Sequence, residues 1–411
     1  MRILLLTHRL PFPPNRGDKI RTFNVLAHLA RRHEVRLACP VDDPADVVHV
    51  PALEKLCAQV VAEVNPRGRA SAGVRALLTG SAITVRHFHF QALQARIDAM
   101  LDAHEIDVVF CFSSPMAEYV FRSRHAAGKL RHAARLMDLI DVDSFKWRQY
   151  AEQSRAPLSW VYGYEARRLG DYERRISREF DDLFLVTAQE RECMPAGARL
   201  ERLHALGNGV DLDYFSPGNA GGAPAPRVVF TGVMDYPPNV QGVQWFVDSV
   251  LPRIHAVRDD VKFIIVGAKP TEAVRRLAER RNVEVTGFVD DVRTYVAGAA
   301  LCVAPLNIAR GIQNKVLEAM AMGKAMVCTP QALEGIRVPA EAVLVAADES
   351  EFATRVLDLV NAPQRAAQVG AAARRCMEQD YGWTATLRPL DSLLARIEGN
   401  RQPDGLAQVP A

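Results

Sequence analysis

The stretch Ala309–Gly323, ARGIQNKVLEAMAMG, gathers residue types that could hold a phosphate. Gly311 falls at an expected strand-to-helix turn, where the missing Cβ lets backbone come close to a ligand. The helix that follows would offer unpaired N-terminal N–H groups and the positive end of its dipole. Arg310 and Lys315 add charge at that end, and Glu318, three residues beyond Lys315, shares its helical face. A carboxylate there could accept hydrogen bonds from paired sugar hydroxyls. The same residues also describe a buried helix with a capping glycine and a Lys–Glu pair. Asp138, Asp141 and Asp143 follow an apolar run and could position a hydroxyl or stabilise charge, or simply cap a helix. His8 closes the first apolar run and is a further active-site candidate. His87 and His89 alternate in HFHF and on a strand would share a face as a metal pair. With no third ligand in view, they are expected to be structural or surface histidines.

Short apolar runs alternating with amphipathic stretches must position these groups. Strands are expected at Arg2–Thr7, Val35–Cys39, Ile106–Phe112, Ala134–Leu139 and Asp182–Thr187. Helices are expected at Lys19–Arg32, Phe90–His104 and Pro115–His125, with one or two more within Ser144–Glu179. SPGNAGGAPAP, Ser216–Pro226, reads as a loop or linker. The alternation then restarts, with strands at Arg227–Thr231, Val261–Val266, Val283–Thr286, Ala300–Ala304 and Ala325–Thr329. Helices are expected between them at Val240–Val257, Thr271–Arg281 and Ile312–Met322, and over most of Glu349–Gln379. Continuous apolar strands separated by helices imply two doubly wound α/β units with parallel sheets. Such units bind ligands beyond the carboxyl ends of their strands. The expected division is 1–205, 206–380, and 381–411 as a helix crossing back to the first domain plus a frayed tail. A Pro-Pro-Asn follows the first strand of each half, at Pro13–Asn15 and Pro237–Asn239.

The chain has 411 residues, 49% hydrophobic and 24% charged, enough apolar material for two cores. Its net charge of +3 is too small for a whole-chain polyanion binder, so no nucleic-acid partner is expected. The charge is uneven: residues 1–205 carry 30 basic against 25 acidic groups, or +5, and residues 206–411 carry 21 against 23, or −2. Any pull toward an anionic surface therefore belongs to the N-terminal half. No apolar stretch approaches the ~20 residues of a membrane span, so membrane contact would be peripheral. The Arg-rich segment up to Arg178 is read first as a solvated helix face, and second as a membrane patch. Seven scattered cysteines without a CxxC fit buried reduced thiols and a cytoplasmic setting, and no metal is expected.

The 309–323 segment resembles the signature of the GT-B glycosyltransferases of family 4. Asn208–Asp211 with Phe215 and Pro217 is similar to that family's inter-domain motif. FTGVMDYPPN (Phe230–Asn239), Val266-Gly267 and GFVDD (Gly287–Asp291) are similar to its donor half. LPFPPNRGDKIR (Leu10–Arg21) and RLMDLIDVDSFKW (Arg135–Trp147) resemble the branch associated with exosortase-type exopolysaccharide systems. The resemblance implies two Rossmann-like domains facing across a cleft, and a hexosyltransferase-type enzyme that retains anomeric configuration. Its substrate would be a nucleotide diphosphate-sugar, with no cofactor, and its acceptor a glycan or lipid-linked saccharide at the inner face of the membrane. By the same resemblance Glu318 would hold the donor ribose. Gly311, Ile312 and Gln313 would contact the diphosphate through backbone, and Lys315 and Arg310 would neutralise it. Gly232 sits in the loop after the donor half's first strand. Phe288 and Val289 would cradle the base, and Gly17 would face the diphosphate from the N-terminal domain.

The chain departs from the family pattern in three places. Arg310 stands where the family's first Glu is usual. The loop from Gly232 lacks the usual Arg and Lys, and Ser113-Ser114 replaces a His common after the fourth N-terminal strand. Asp141-Val-Asp143 matches the metal-binding DxD of the other large glycosyltransferase fold, but the surrounding architecture does not. The alternatives are a GT-B nucleotide-sugar epimerase and a catalytically silent subunit that binds nucleotide sugar or glycan.

Overall fold

The computed structural model describes residues 1–66, 80–218, 225–309 and 311–401. Its apolar runs become the central strands of two parallel sheets. In β1 (Arg2–Thr7) five of the six residues are buried, as a strand covered on both faces requires. It lies between β2 (Glu34–Val41) and β4 (Val108–Phe112), both almost wholly buried. The first sheet is completed by β3 (Gln59–Val64), β5 (Ala134–Ile140), β6 (Asp182–Leu185) and β7 (Leu203–Ala205), in the order β3-β2-β1-β4-β5-β6-β7. The second contains β8 (Arg227–Thr231), β9 (Lys262–Val266), β10 (Val283–Gly287), β11 (Leu301–Ala304), β12 (Met326–Cys328) and β13 (Leu344–Val345), in the order β10-β9-β8-β11-β12-β13.

Both sheets wind outward from their first strand. The order therefore reverses between β1 and β4 in one and between β8 and β11 in the other, which is where doubly wound sheets bind ligands. β3, β7 and β13 were not expected from the sequence. All three are sheet edges, and β3 and β7 carry mixed or half-exposed residues instead of an apolar run.

The chain divides into two compact units, one of residues 1–207 with 387–411 and one of residues 208–386. In the first, α1 (Gly17–Ala30) follows β1, α2 (Ile83–Phe88) and α3 (Gln91–Ala103) precede β4, and α4 (Asp143–Gln153) and α5 (Leu158–Glu179) join β5 to β6. HFHF is therefore not a strand: His87 lies in α2 and His89 caps it, bonded to Gln94 at 3.1 Å. The expected helix over 115–125 shrinks to a 3₁₀ turn and one α-turn ending at Phe121. In the second unit α6 (Pro237–Trp245) follows β8, α7 (Asn314–Ala321) follows β11, α8 (Glu349–Val360) packs on β11, β12 and β13, and α9 (Pro363–Cys376) packs against α7 and α8. The last helix, α10 (Arg388–Gly399), buries Leu390, Leu393 and Leu394 in the first unit. Its Asp391 receives His28 Nε2 of α1 at 2.7 Å. Residues 219–224 of the expected linker lie outside the described residues. All seven cysteines are free thiols, and all but Cys193 are buried.

Candidate functional site

The carboxyl ends of β8 and β11 hold the densest constellation in the second unit. β11 leads through a loop to Gly311, which has φ +60°, a left-handed conformation that glycine adopts without strain. Gln313 then stands at the N-cap of α7 in extended conformation, and its side chain does not cap the first turn. The early amides and the positive dipole end of an eight-residue helix thus open on the reversal point. Ile312 packs inward, 9% exposed, and so pins the turn.

Lys315 projects from the first turn of α7 and is half-buried. Its Nζ donates to Asn239 Oδ1 at 2.5 Å and sits 4.7 Å from the centre of the Phe230 ring. Asn239 is buried at the start of α6 and donates through Nδ2 to the Val233 carbonyl at 2.8 Å, so its oxygen is aimed at the lysine. Gly232 lies against this pair. A Cβ there would stand 2.7 Å from Asn239 Nδ2 and 3.4 Å from Lys315 Nζ, so only glycine leaves the ammonium room beside the β8 loop. Burial pushes the Lys315 ammonium down to about 8, with Glu318 opposing, and pushes the Glu318 carboxyl up to about 7, with Lys315 opposing. A desolvated cation beside a dipole end and two glycines can accept an anion whose charge restores its own.

The neighbouring loops are stacked onto this one. Gly267 has φ +152°, and a Cβ on it would lie 1.7 Å from the Gly232 carbonyl oxygen. Its amide donates to the Gly287 carbonyl at 3.2 Å. The loops after β8, β9 and β10 thus pack side by side, and Phe288 and Val289 follow directly after Gly287 at the same edge as Gly232. Phe288 is 75% exposed, an aromatic face with no cover from its own unit. Arg310 lies outside the described residues. Asn239 was not singled out from the sequence, although the Pro-Pro-Asn after the first strand marked its position.

In the first unit Gly17 opens α1 and is exposed. His8, after β1, is 9% exposed; its Nε2 lies 3.3 Å from Asp18 Oδ2. Burial alone would raise Asp18, but the His8 contact and the charges of Arg16 and Arg9 hold its carboxyl well below the usual range. Asp141 is half-buried and shares a hydrogen bond with Glu190, which follows β6. Burial and the Asp141 carboxylate together push Glu190 up to about 7. Asp143 opens α4, where burial raises it to about 6 against the pull of Lys146. Glu190 and Asp18 were not visible as partners in the sequence, because each lies on a different element from the residue it meets.

Asp138 requires a correction. Expected to act on an acceptor, it is fully buried, with Arg21 Nε donating to its Oδ2 at 2.7 Å and the Ile140 amide to its Oδ1 at 3.0 Å. Arg21 in turn donates to the Gly207 carbonyl at 2.8 Å. This is an interior ion pair that fixes α1 to β5 and the end of the first unit, with no face open to substrate.

Comparison with known proteins agrees with this architecture. Residues 225–362 match the family described as glycosyl transferases group 1. The chain is similar in structure to sucrose-phosphate synthase of Thermosynechococcus elongatus, with a TM-score of 0.68 and 15% identity over 97% of this chain and 100% of that one. It is also similar to HepE of Anabaena in complex with UDP, with a TM-score of 0.66 and 15% identity over 96% and 100% of the two chains. In sequence it is 20% identical over 368 residues to a Klebsiella pneumoniae protein, covering 87% of this chain and 90% of the relative. That relative is described as an uncharacterized 44.6 kDa protein in the cps region. The fold is GT-B, two Rossmann-like α/β domains, and the match to the group 1 family falls within the second.

Proposed function

We propose that this chain is a retaining, family 4-like glycosyltransferase that moves a hexosyl group from a nucleotide-sugar donor to a glycan or lipid-linked saccharide. The observation that carries the reading is the Lys315–Asn239 pair wedged against Gly232 beneath the start of α7. The donor diphosphate would lie on the amides of Gly311, Ile312 and Gln313, with Lys315 as its countercharge and Arg310 adding to it. Glu318 would accept from the ribose hydroxyls, and the turn at Phe288 and Val289 would take the base. HepE has been solved with UDP and with UDP-glucose, which supports a nucleotide-sugar donor here.

No enzyme nucleophile stands out, so a front-face displacement is the favoured route. The acceptor oxygen bonds to the anomeric carbon on the side from which the diphosphate leaves. The acceptor proton passes to the departing phosphate. Lys315, Arg310 and the helix-end amides stabilise the charge that develops there. The N-terminal unit would hold the acceptor, with Gly17 and Asp141 as its candidate contacts to substrate. The relative in a cps region supports a role in exopolysaccharide biosynthesis, and the Pro-rich N-terminal segment supports the exosortase-associated branch. The protein would work in the cytoplasm at the inner membrane face.

The test is incubation with a panel of UDP-, GDP- and other nucleotide sugars, reading free nucleotide. Release from one donor class, lost in Lys315→Met, is expected. Binding of nucleotide sugar without any release, with or without acceptor glycans, would instead identify a silent binding subunit.

A further inference from the structure

Helices α4 and α5 form a hairpin whose turn carries an apolar tip. Trp160 is 73% exposed, Leu158 49%, Val161 46% and Tyr150 42%. Contiguous exposure of large apolar side chains marks a contact surface. The tip is held firmly: the rings of Trp147, Tyr150 and Tyr162 pack against one another at 5.2–6.0 Å across the two helices.

Cations stand behind it. Arg167 and Arg168 lie seven residues after Trp160 and Val161, two turns along the same face and about 10 Å back from the tip. Arg148 on α4 and Arg155 in the turn are also exposed. Among the described residues none of these four arginines forms an ion pair. Between residues 146 and 168 the acidic groups are Glu152 and Glu165. Glu165 is turned inward, accepting the Ile83 and Thr84 amides at 2.6 and 2.8 Å.

We infer that this hairpin docks the protein on a bilayer containing anionic lipid. Trp160, Leu158 and Val161 enter the headgroup–acyl boundary, a zone about 5–10 Å deep. Tryptophan favours that level, and the arginines about 10 Å behind it meet lipid phosphate while their stems cover apolar surface. A second copy of the chain fits less well, because a twofold contact through the tip would bring the same unpaired arginines face to face. The inference rests on the hairpin surface and not on the sugar-transfer reading. Nucleotide release without vesicles tests that reading separately.

The experiment is flotation of the full chain with phosphatidylcholine vesicles, with and without phosphatidylglycerol. Flotation only with the anionic vesicles, weakened by salt, is expected. Leu158→Ser/Trp160→Ser/Val161→Ser abolishes it at unchanged melting temperature. Arg167→Gln/Arg168→Gln lowers vesicle affinity about 30-fold, roughly fivefold for each arginine. Trp160→Phe still floats but loses the tryptophan emission that brominated lipid quenches in the parent. Three results would each overturn the inference: no flotation with either vesicle, flotation of the triple-serine variant equal to the parent, or a lipid-free dimer that the triple-serine variant turns into a monomer.

Discussion

Lys315→Met keeps the aliphatic stem against the Phe230 ring and removes the ammonium that bonds Asn239. Burial brings Lys315 from 10.5 to about 8. At ~1.4 kcal/mol for each tenfold, its surroundings disfavour the cation by about 3 kcal/mol. A bound diphosphate supplies the missing countercharge and draws the proton equilibrium back up. UDP binding at pH 8 should therefore take up about half a proton at this group, visible in calorimetry as a binding enthalpy that changes with the buffer's ionisation enthalpy. A hydrogen bond from a charged donor contributes roughly 1.5–3 kcal/mol, so the variant should bind UDP about 10- to 150-fold more weakly and lose the proton uptake. The free protein should move the other way. The unfolded chain holds this proton up to pH 10.5 and the folded one only to about 8, so the parent's stability rises between those values and its charge penalty is complete below pH 8. Lys315→Met removes that penalty, so the variant should melt higher at pH 7, with the difference closing toward pH 10.5. Unchanged UDP affinity, or proton uptake that persists in the variant, would refute the assignment. A lowered melting temperature at pH 7 would refute the account of the buried charge.

Glu318, raised from 4.5 to about 7, gives a second titration. The stability linked to its protonated form is complete below pH 4.5 and lost as pH rises through 7, so Glu318→Gln should raise the melting temperature at pH 8 and not at pH 4. The same variant should weaken UDP about tenfold if the carboxylate accepts the ribose hydroxyls, for a loss of roughly 1.5 kcal/mol. Gly267→Ala must displace the Gly232 carbonyl from a Cβ 1.7 Å away and should cost roughly 3 kcal/mol or more in denaturant unfolding. Gly287→Ala, with open space around its Cβ but φ +71°, should cost only about 1–2 kcal/mol. Asp138→Ala strands a buried guanidinium and should cost about 3–5 kcal/mol, while Arg21→Met/Asp138→Leu should recover stability and keep nucleotide release. Loss of release in that stable double variant would restore a direct role to Asp138.

The elements around Lys315 are legible in the sequence because they are local. LCVA, then a glycine, then NKVLEAMA spell a buried strand, a turn and an amphipathic helix within one short stretch. Lys315 and Glu318 are placed together by helical spacing alone. Asn239 was hidden because it meets Lys315 from 76 residues away, through the pairing of β8 with β11. The HFHF alternation left strand and helix open because four residues fit a strand period and a helix end equally well; the choice is made by Glu165, which caps the helix holding the buried Phe88 from another element.

Asp138 shows most sharply where the sequence stops. Its type and its place after an apolar run allow either a catalytic carboxylate or an interior one. The choice is made by Arg21, 117 residues away, whose long side chain reaches it from α1, a helix that packs against β2. Composition and periodicity determined that this chain forms two parallel α/β layers, since continuous apolar strands can be buried in few other ways. Which charges those layers enclose, and which they leave at the strand ends, was decided by tertiary packing. Burying a charge is costly unless a partner arrives, and partners arrive from distant parts of the chain.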